Sequence, residues 1–198
     1  MYSGRSSATE RRKTMRINLG SSDSLHPDFL NVDIWTPPGA VSVSSPPLVP
    51  PHFEEDEWAG RFQKADLRKR WPWADSSIDE IRAYDIFEHL PVKVHTMNEA
   101  HRVLRPGGTL DIFIPTTDGR GAFQDPTHVS FWTPNDFFYY LECFAEWKRF
   151  HEAYGITACF KVAGTDGSSI AAKIKLKTGH EQHADLVHKL KIVLEAIK

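Results

Sequence analysis

The chain reads as an α/β protein built on a mostly parallel, seven-stranded sheet, with an antiparallel C-terminal hairpin and helices on both faces. Three observations lead there. Short apolar runs alternate with loops and a helix-period segment through the first 115 residues, and such alternation argues for parallel strands joined by crossovers. The run Leu110-Asp-Ile-Phe-Ile114 is mostly apolar, as a strand buried on both faces requires. Two further β-type runs near the C-terminus flank Thr165-Asp-Gly-Ser168, a hairpin signal.

The elements follow in order. Residues 1–14 are rich in Ser, Arg and Lys without periodicity and are expected to form a disordered basic arm. A single domain then spans 15–180. Met15–Leu19 is a strand running into the turn cluster Gly20-Ser-Ser-Asp23, and Phe29–Trp35 is the second strand. Residues 36–52 hold six of the thirteen prolines and read as an extended loop insertion. Glu54-Glu-Asp-Glu57 opens a short helix, since acids favour a helix N-terminus. Arg61–Leu67 and Ile78–Tyr84 are the third and fourth strands. Val94, Met97, Ala100 and Leu104 then recur at helical spacing before Arg105-Pro-Gly-Gly108 stops the helix. Leu110–Ile114 is the fifth strand, Pro134–Phe150 an aromatic-rich helix, and Ile156–Ala163 and Ile170–Leu176 are the last two strands. Leu186, Leu190, Val193 and Ile197 make residues 181–198 an amphipathic helix of the same domain, which packs within the chain or pairs two copies in a homodimer; the former is favoured.

Composition narrows the function classes. The 198 residues carry a net charge of −2 with a pI near 6.5, so no global basic field holds a phosphate backbone and nucleic acid is disfavoured. No stretch reaches the roughly 20 apolar residues that span a bilayer, and the first apolar run is too short for a signal peptide. Two cysteines make no disulfide framework. The expectation is a cytoplasmic globular protein without a membrane partner. Histidines and acids do not recur at metal-ligand spacings, so no metal is expected.

Asp33, Asp66 and Asp85 all fall at or just after predicted strand ends. In an open parallel sheet those ends share one crevice, so three carboxylates distant in sequence converge there. Gly20 follows the first strand, where a side chain would block a ligand from the backbone. A carboxylate ending the second strand suits two vicinal hydroxyls, because it accepts both hydrogen bonds. Nine aromatic residues lie between Phe131 and Phe150, and such clusters either fill cores or line pockets.

These residues carry a resemblance. Arg16-Ile-Asn-Leu-Gly20 with Asn31-Val-Asp-Ile34 resembles the first motif of small class I S-adenosylmethionine-dependent methyltransferases, of the bacterial type 11-like subgroup. Asp66-Leu-Arg-Lys69, Trp71-Pro-Trp-Ala-Asp-Ser-Ser-Ile-Asp79 and Ile86-Phe-Glu-His-Leu90 are similar to that family's middle. Glu99-Ala-His-Arg-Val-Leu-Arg-Pro-Gly-Gly108 is the most specific string, and Gln124-Asp-Pro-Thr-His128 is like a loop of the subgroup. The resemblance covers residues 15 to 140 and implies a Rossmann-like fold and methyl transfer from S-adenosylmethionine to a small-molecule or sugar-like acceptor. It further implies that Gly20 and Ser21 face the methionine part of the cofactor and that Asp33 takes the ribose hydroxyls. Asp66, with the Leu67 backbone, would hold the adenine. Tyr84 and Asp85 would lie beside the sulfonium. His128, then His89, are the candidate bases, with Phe131 and Trp132 as acceptor-pocket wall. The family turn carries a second glycine where this chain has Ser21-Ser22, so either the loop conformation differs or cofactor binding is weakened. That departure motivates the alternative of a catalytically inactive binding or scaffolding protein. A nicotinamide oxidoreductase is disfavoured, because Gly-x-Gly-x-x-Gly does not follow the first strand.

Overall fold

The computed structural model describes residues 14–38, 40–42, 61–142, 145–163, 175–178 and 188–198. The basic arm, the acidic helix at 54–57, the 165–168 turn and most of the proline-rich loop lie outside them. Nine strands form one sheet: β1 (Arg16–Leu19), β2 (Leu30–Asp33), β3 (Val41–Ser42), β4 (Arg61–Lys64), β5 (Ile78–Tyr84), β6 (Leu104–Pro115), β7 (Phe160–Val162), β8 (Lys175–Thr178) and β9 (His188–Ala196). Their order is β3-β4-β2-β1-β5-β6-β9-β7, with β8 also paired to β9. The first six are mutually parallel, whereas β9 runs antiparallel to β6, β7 and β8. This is the Rossmann-like, mostly parallel sheet expected from the sequence, with nine strands in place of seven: β3 and β9 are the additions. The chain winds outward from β1 to β2 and β4 on one side and through β5 and β6 on the other. The switch point therefore lies between β1 and β5, at whose carboxyl ends a ligand crevice is expected.

Three expectations are corrected at the C-terminal end. Residues 188–196 form a strand, not an amphipathic helix. Leu190, Ile192, Leu194 and Ala196 alternate inward at period two, and β9 pairs with β6 from Thr109↔Glu195 to Pro115↔Lys189. The antiparallel hairpin at this end is β8–β9. β7 and β8 do not pair with each other; they follow one another along the same edge of β9. The aromatic segment is two 3₁₀ helices, Pro134–Tyr140 and Ala145–Phe150, and not one α-helix. Thr133 and Asp136 close the first with reciprocal capping bonds.

The second helical layer is also thinner than expected. Among the described residues α1 (Lys93–Val103) is the only α-helix longer than a single turn; α2 (Gly121–Gln124) and α3 (His151–Tyr154) are single turns. Parallel neighbours usually need a helical crossover of a dozen or more residues, yet residues 20–29 join β1 to β2 without one. Asn31, fully buried in β2, organises that link. Its Oδ1 accepts from the His26 amide (2.7 Å) and from Asn18 Nδ2 (3.0 Å). Its Nδ2 donates to the carbonyls of His26, Phe29 and Arg61. One strand face is apolar and buried in a single cluster with Met97, Ala100 and Val103 of α1. The alternate positions Arg82, Tyr84, Asp111, Phe113, Lys189 and Lys191 are only half-buried. Asp111 and Phe113 thus show that β6 is not buried on both faces.

The loop between β4 and β5 is fixed to α1 by one arginine. Arg102 donates through Nε to Glu99 Oε1 (2.8 Å), and through its terminal nitrogens to Glu99 Oε2, Asp75 Oδ1 and the carbonyls of Trp71 and Trp73. Glu99 Oε2 also accepts the Trp71 amide at 2.6 Å. Both side chains are largely buried. Burial pushes the Glu99 carboxyl up, but the bonds from Arg102 and Trp71 outweigh it, and the net position is below the usual glutamate range.

Removing one partner of a buried pair strands the other. Arg102→Gln should lower unfolding free energy by about 2–4 kcal/mol, discounted from the fully buried case for partial solvent access. Because the Glu99 pKa is depressed on folding, its contribution is present above the unfolded value and lost as pH falls through the folded one. Denaturant titrations across the acid range should show that loss in the parent protein and a smaller one in the variant; equal stability at neutral pH would refute the assignment.

Candidate cofactor pocket and the histidine cluster beside it

A cavity of about 160 Å³ opens at the carboxyl ends of β1, β2, β4 and β5, lined by Gly20, Asp33, Ile34, Ala65, Asp66, Leu67, Arg68, Ile86, His89 and Leu90. Four separate strand ends contribute to it, which is what the sheet's switch point requires. Four sequence-derived candidates from the pocket set, Gly20, Asp33, Asp66 and Leu67, are brought together here, and His89 joins them.

Gly20 is held at φ 65°, in the left-handed region that favours glycine. A Cβ there would stand 2.6 Å from the Ile86 Cβ, so the turn and the segment after β5 are packed together through the missing side chain. Ser22, where the family turn carries its second glycine, takes φ 44°. The loop therefore keeps a glycine-like backbone despite the substitution. The Ser22 amide donates to Asp33 Oδ2 (3.0 Å) and the Trp35 amide to Oδ1 (3.1 Å). Each carboxylate oxygen thus receives one backbone bond and retains capacity for another. Ser21 is buried behind the turn, and its Oγ has no partner among the described residues.

Asp66 sits beneath Arg68, which donates to both carboxylate oxygens at 2.8 and 3.0 Å, with the Arg68 amide on Oδ1. That side-chain bond is the main reason why the Asp66 carboxyl lies down at about 2. A ligand amino group at Asp66 would share it with Arg68.

Other candidates stand outside the cavity lining. Tyr84 donates to Asp111 Oδ2 (2.8 Å), accepts from Lys191 and lies under the Arg82 guanidinium, on the half-buried sheet face. Asp85, at φ 50°, pairs with Lys189 at 2.6 Å. Trp132 is a core residue: it is fully buried, stacks on Phe137 and donates to Ser130 Oγ. Phe131 is 40% exposed and stacks on Phe123, itself exposed, at 5.0 Å. Phe137 of the same aromatic run is fully buried in the core.

His128 is nearly enclosed and does not line the cavity, whereas His89 does. The rings meet edge to face, with centroids 4.9 Å apart. Glu88 precedes His89 in a short 3₁₀ turn, Phe87–His89, and is 2% exposed. Burial is the main reason why its carboxyl is pushed up to about 8. One ligand atom each from Glu88, His89 and His128 lies within 4.8 Å of the others. The sequence carries no metal-ligand spacing here, because His89 and His128 lie far apart along the chain. What joins them is the pairing of the Val129 and Ser130 amides with the Glu88 carbonyl, both at 2.9 Å.

The sheet is Rossmann-like and mostly parallel, and its cavity lies at the carboxyl ends of four strands. Residues 44–112 match the family model described as a methyltransferase domain, which is the family that the sequence resembles. No curated protein matches. Among solved structures, the complex of the Trm112 methyltransferase activator with a methyltransferase candidate from Haloferax volcanii aligns at 15% identity and TM-score 0.49, over 93% of this chain and 83% of that one. A SAM-dependent methyltransferase from Aquifex aeolicus aligns at 12% identity and TM-score 0.47, over 93% and 82%. The YcgJ protein of Bacillus subtilis gives 12% and 0.47, over 96% and 94%. No described helix is long and apolar enough to cross a membrane.

Two outcomes test this geometry. Gly20→Ala should cost about 2–4 kcal/mol in chemical denaturation, from the left-handed backbone and the Ile86 clash together. In Arg68→Gln, an NMR titration should find the Asp66 carboxyl risen from about 2 towards the usual 3.8; an unmoved value would show that Arg68 is not its partner.

Proposed function

We propose that the protein transfers the methyl group of S-adenosylmethionine to a small-molecule or sugar-like acceptor. The observation that carries this reading is the cavity itself: the Gly20 turn, the Asp33 carboxylate and the Asp66–Leu67 segment border one space at the switch point of the sheet. The fit is to the nucleoside half of the cofactor. Asp33 would take the ribose hydroxyls on its remaining acceptor sites. Asp66 and the Leu67 backbone would face the adenine, with Gly20 and Ser21 towards the methionine part. The cavity is smaller than the roughly 300 Å³ at which drug-sized pockets begin, so the remainder of the cofactor and the acceptor would occupy the open side.

The sulfonium brings an already activated methyl group, so the protein's task is alignment and exclusion of water. Ile86 and Leu90 supply apolar wall for that purpose. Where the acceptor must lose a proton, His89 is the group on the cavity wall. Its Nδ1 faces the Thr127 carbonyl at 3.2 Å and must carry hydrogen to bond it, which leaves Nε2 as the acceptor. His128 then acts as the ring against which His89 rests. The left-handed Ser22 supports a working turn over the inactive alternative.

Calorimetric titration should give saturable binding of S-adenosylmethionine or its demethylated product, and Asp33→Ala should weaken it by about 10- to 100-fold, the loss of a charge-assisted bond pair. Absence of both heat and thermal shift would overturn the reading. Binding without methyl transfer to any offered acceptor would leave the scaffolding alternative.

A further inference from the structure

We propose that Glu88, His89 and His128 form a binding site for one divalent transition-metal ion of the zinc class. The site shares His89 with the cavity wall but needs neither cofactor nor acceptor to exist.

Three features carry it. The first is convergence: one Glu88 oxygen and a nitrogen of each imidazole lie within 4.8 Å of one another, with Glu88 Oε1 3.9 Å from His128 Nε2. Ligand atoms about 2.1 Å from a tetrahedral ion stand about 3.4 Å apart. Closing the present spacing needs shifts of under an ångström from two imidazoles and a carboxylate, each on a rotatable side chain.

The second feature is the state of the ring nitrogens. His128 Nδ1 is 2.9 Å from the Ala122 carbonyl, and His89 Nδ1 is 3.2 Å from the Thr127 carbonyl. A carbonyl only accepts, so in the neutral form of each ring Nδ1 carries the hydrogen and Nε2 the lone pair. Thr127 is itself fixed, because its hydroxyl donates to Asp125 Oδ1 at 2.6 Å. Ligating histidines in metalloproteins are oriented in this manner, through the nitrogen that does not bind the ion.

The third is Glu88. Its residue is 98% buried by the measure of its 2% exposure, and its Oε2 has no hydrogen-bond partner among the described residues. An enclosed, unpartnered carboxylate oxygen is costly unless a cation or donor meets it. No arginine or lysine pairs with Glu88 among the described ion pairs; Lys189, whose charge acts on it, is engaged by Asp85. Two imidazoles and one carboxylate select a borderline transition ion over magnesium, which prefers oxygen donors and keeps several waters. Three protein ligands also leave a fourth position open.

The test uses the full chain, stripped with chelator and titrated with Zn²⁺ alone, with Co²⁺ as a spectroscopic probe and Mg²⁺ as comparison. The expected result is one equivalent of Zn²⁺, a rise in Tm on binding, visible d–d bands with Co²⁺, and no binding of Mg²⁺. Glu88→Gln, which keeps the side-chain shape, and His89→Ala, at a half-exposed position, should each weaken Zn²⁺ by at least about tenfold and abolish the Tm rise. His128→Ala should do the same if it folds. Absence of stoichiometric Zn²⁺ binding, or equal affinity in Glu88→Gln and His89→Ala, overturns the proposal. Failure to bind S-adenosylmethionine would touch only the function proposed above.

Discussion

The arrangement at the strand ends depends on one arginine that stands outside the cavity lining. Arg102 uses its guanidinium to hold Glu99, Asp75 and two carbonyls of the Trp71–Trp73 loop at once. That loop is the return path from the cavity wall at Asp66–Arg68 to β5. Trp71 reaches back further, donating its indole hydrogen to the Leu67 carbonyl, and Trp73 donates to Gln63 in β4. The chain from Gln63 to Ile78 is therefore tied to α1 at several points, and the cavity floor inherits the rigidity of the helix. A single planar cation serves here because its five donors diverge in a fixed fork, which a lysine cannot match.

The sheet meets its usual constraint in an unusual manner. Parallel strands normally bury both faces under crossover helices. Here the β1–β2 link is ten residues of turns, organised by the buried amide of Asn31. Losing the helix exposes part of one strand face, and the sequence responds with an interlocked polar layer. Arg82 bonds Asn18 and covers Tyr84; Tyr84 and Lys191 share Asp111; Lys189 pairs with Asp85. Tyr84 and Asp85 thereby serve the sheet face, although their position at the end of β5 suggested the cavity. The switch point does not need the missing layer. It is defined by strand order, and the turn at Gly20 is held by Ile86 from the neighbouring strand end.

How much of this could be read in the sequence follows from the range of the forces involved. β5 was legible to the residue, because a period-two apolar run bounded by turn residues is a local signal. The Gly20 turn and the order of Asp33 and Asp66 along successive strand ends were legible too, and α1 as far as Val103, since Leu104 and the Arg105-Pro-Gly-Gly108 stop already belong to β6. Residues 188–196 defeated the same method, since Leu190 and Val193 fit a helical stripe while Leu190, Ile192 and Leu194 fit a strand. The decision between them came from β6, whose edge supplies seven paired residues. Trp132 was misplaced for a similar reason: its neighbour Phe131 is exposed, and only the packing of Phe87 and Phe137 tells the two apart. The Glu88–His89–His128 cluster left no local trace, because two backbone bonds from Val129 and Ser130 to the Glu88 carbonyl create it.

His89 stands where these two kinds of information meet. It lines the cavity that strand order defines, and it belongs to the cluster that tertiary bonds assemble. Its Nδ1 faces Thr127 in both settings, so Nε2 of the neutral ring would be the reacting atom in either. A proton from an acceptor and a metal ion would compete for the same lone pair. The Glu88 carboxyl bears on that balance, because burial disfavours its ionised form and a positive charge beside it, whichever form that takes, would favour it. Hydrogen bonding fixes the tautomer and burial fixes the field; the chemistry at the cavity wall is set by those two constraints together.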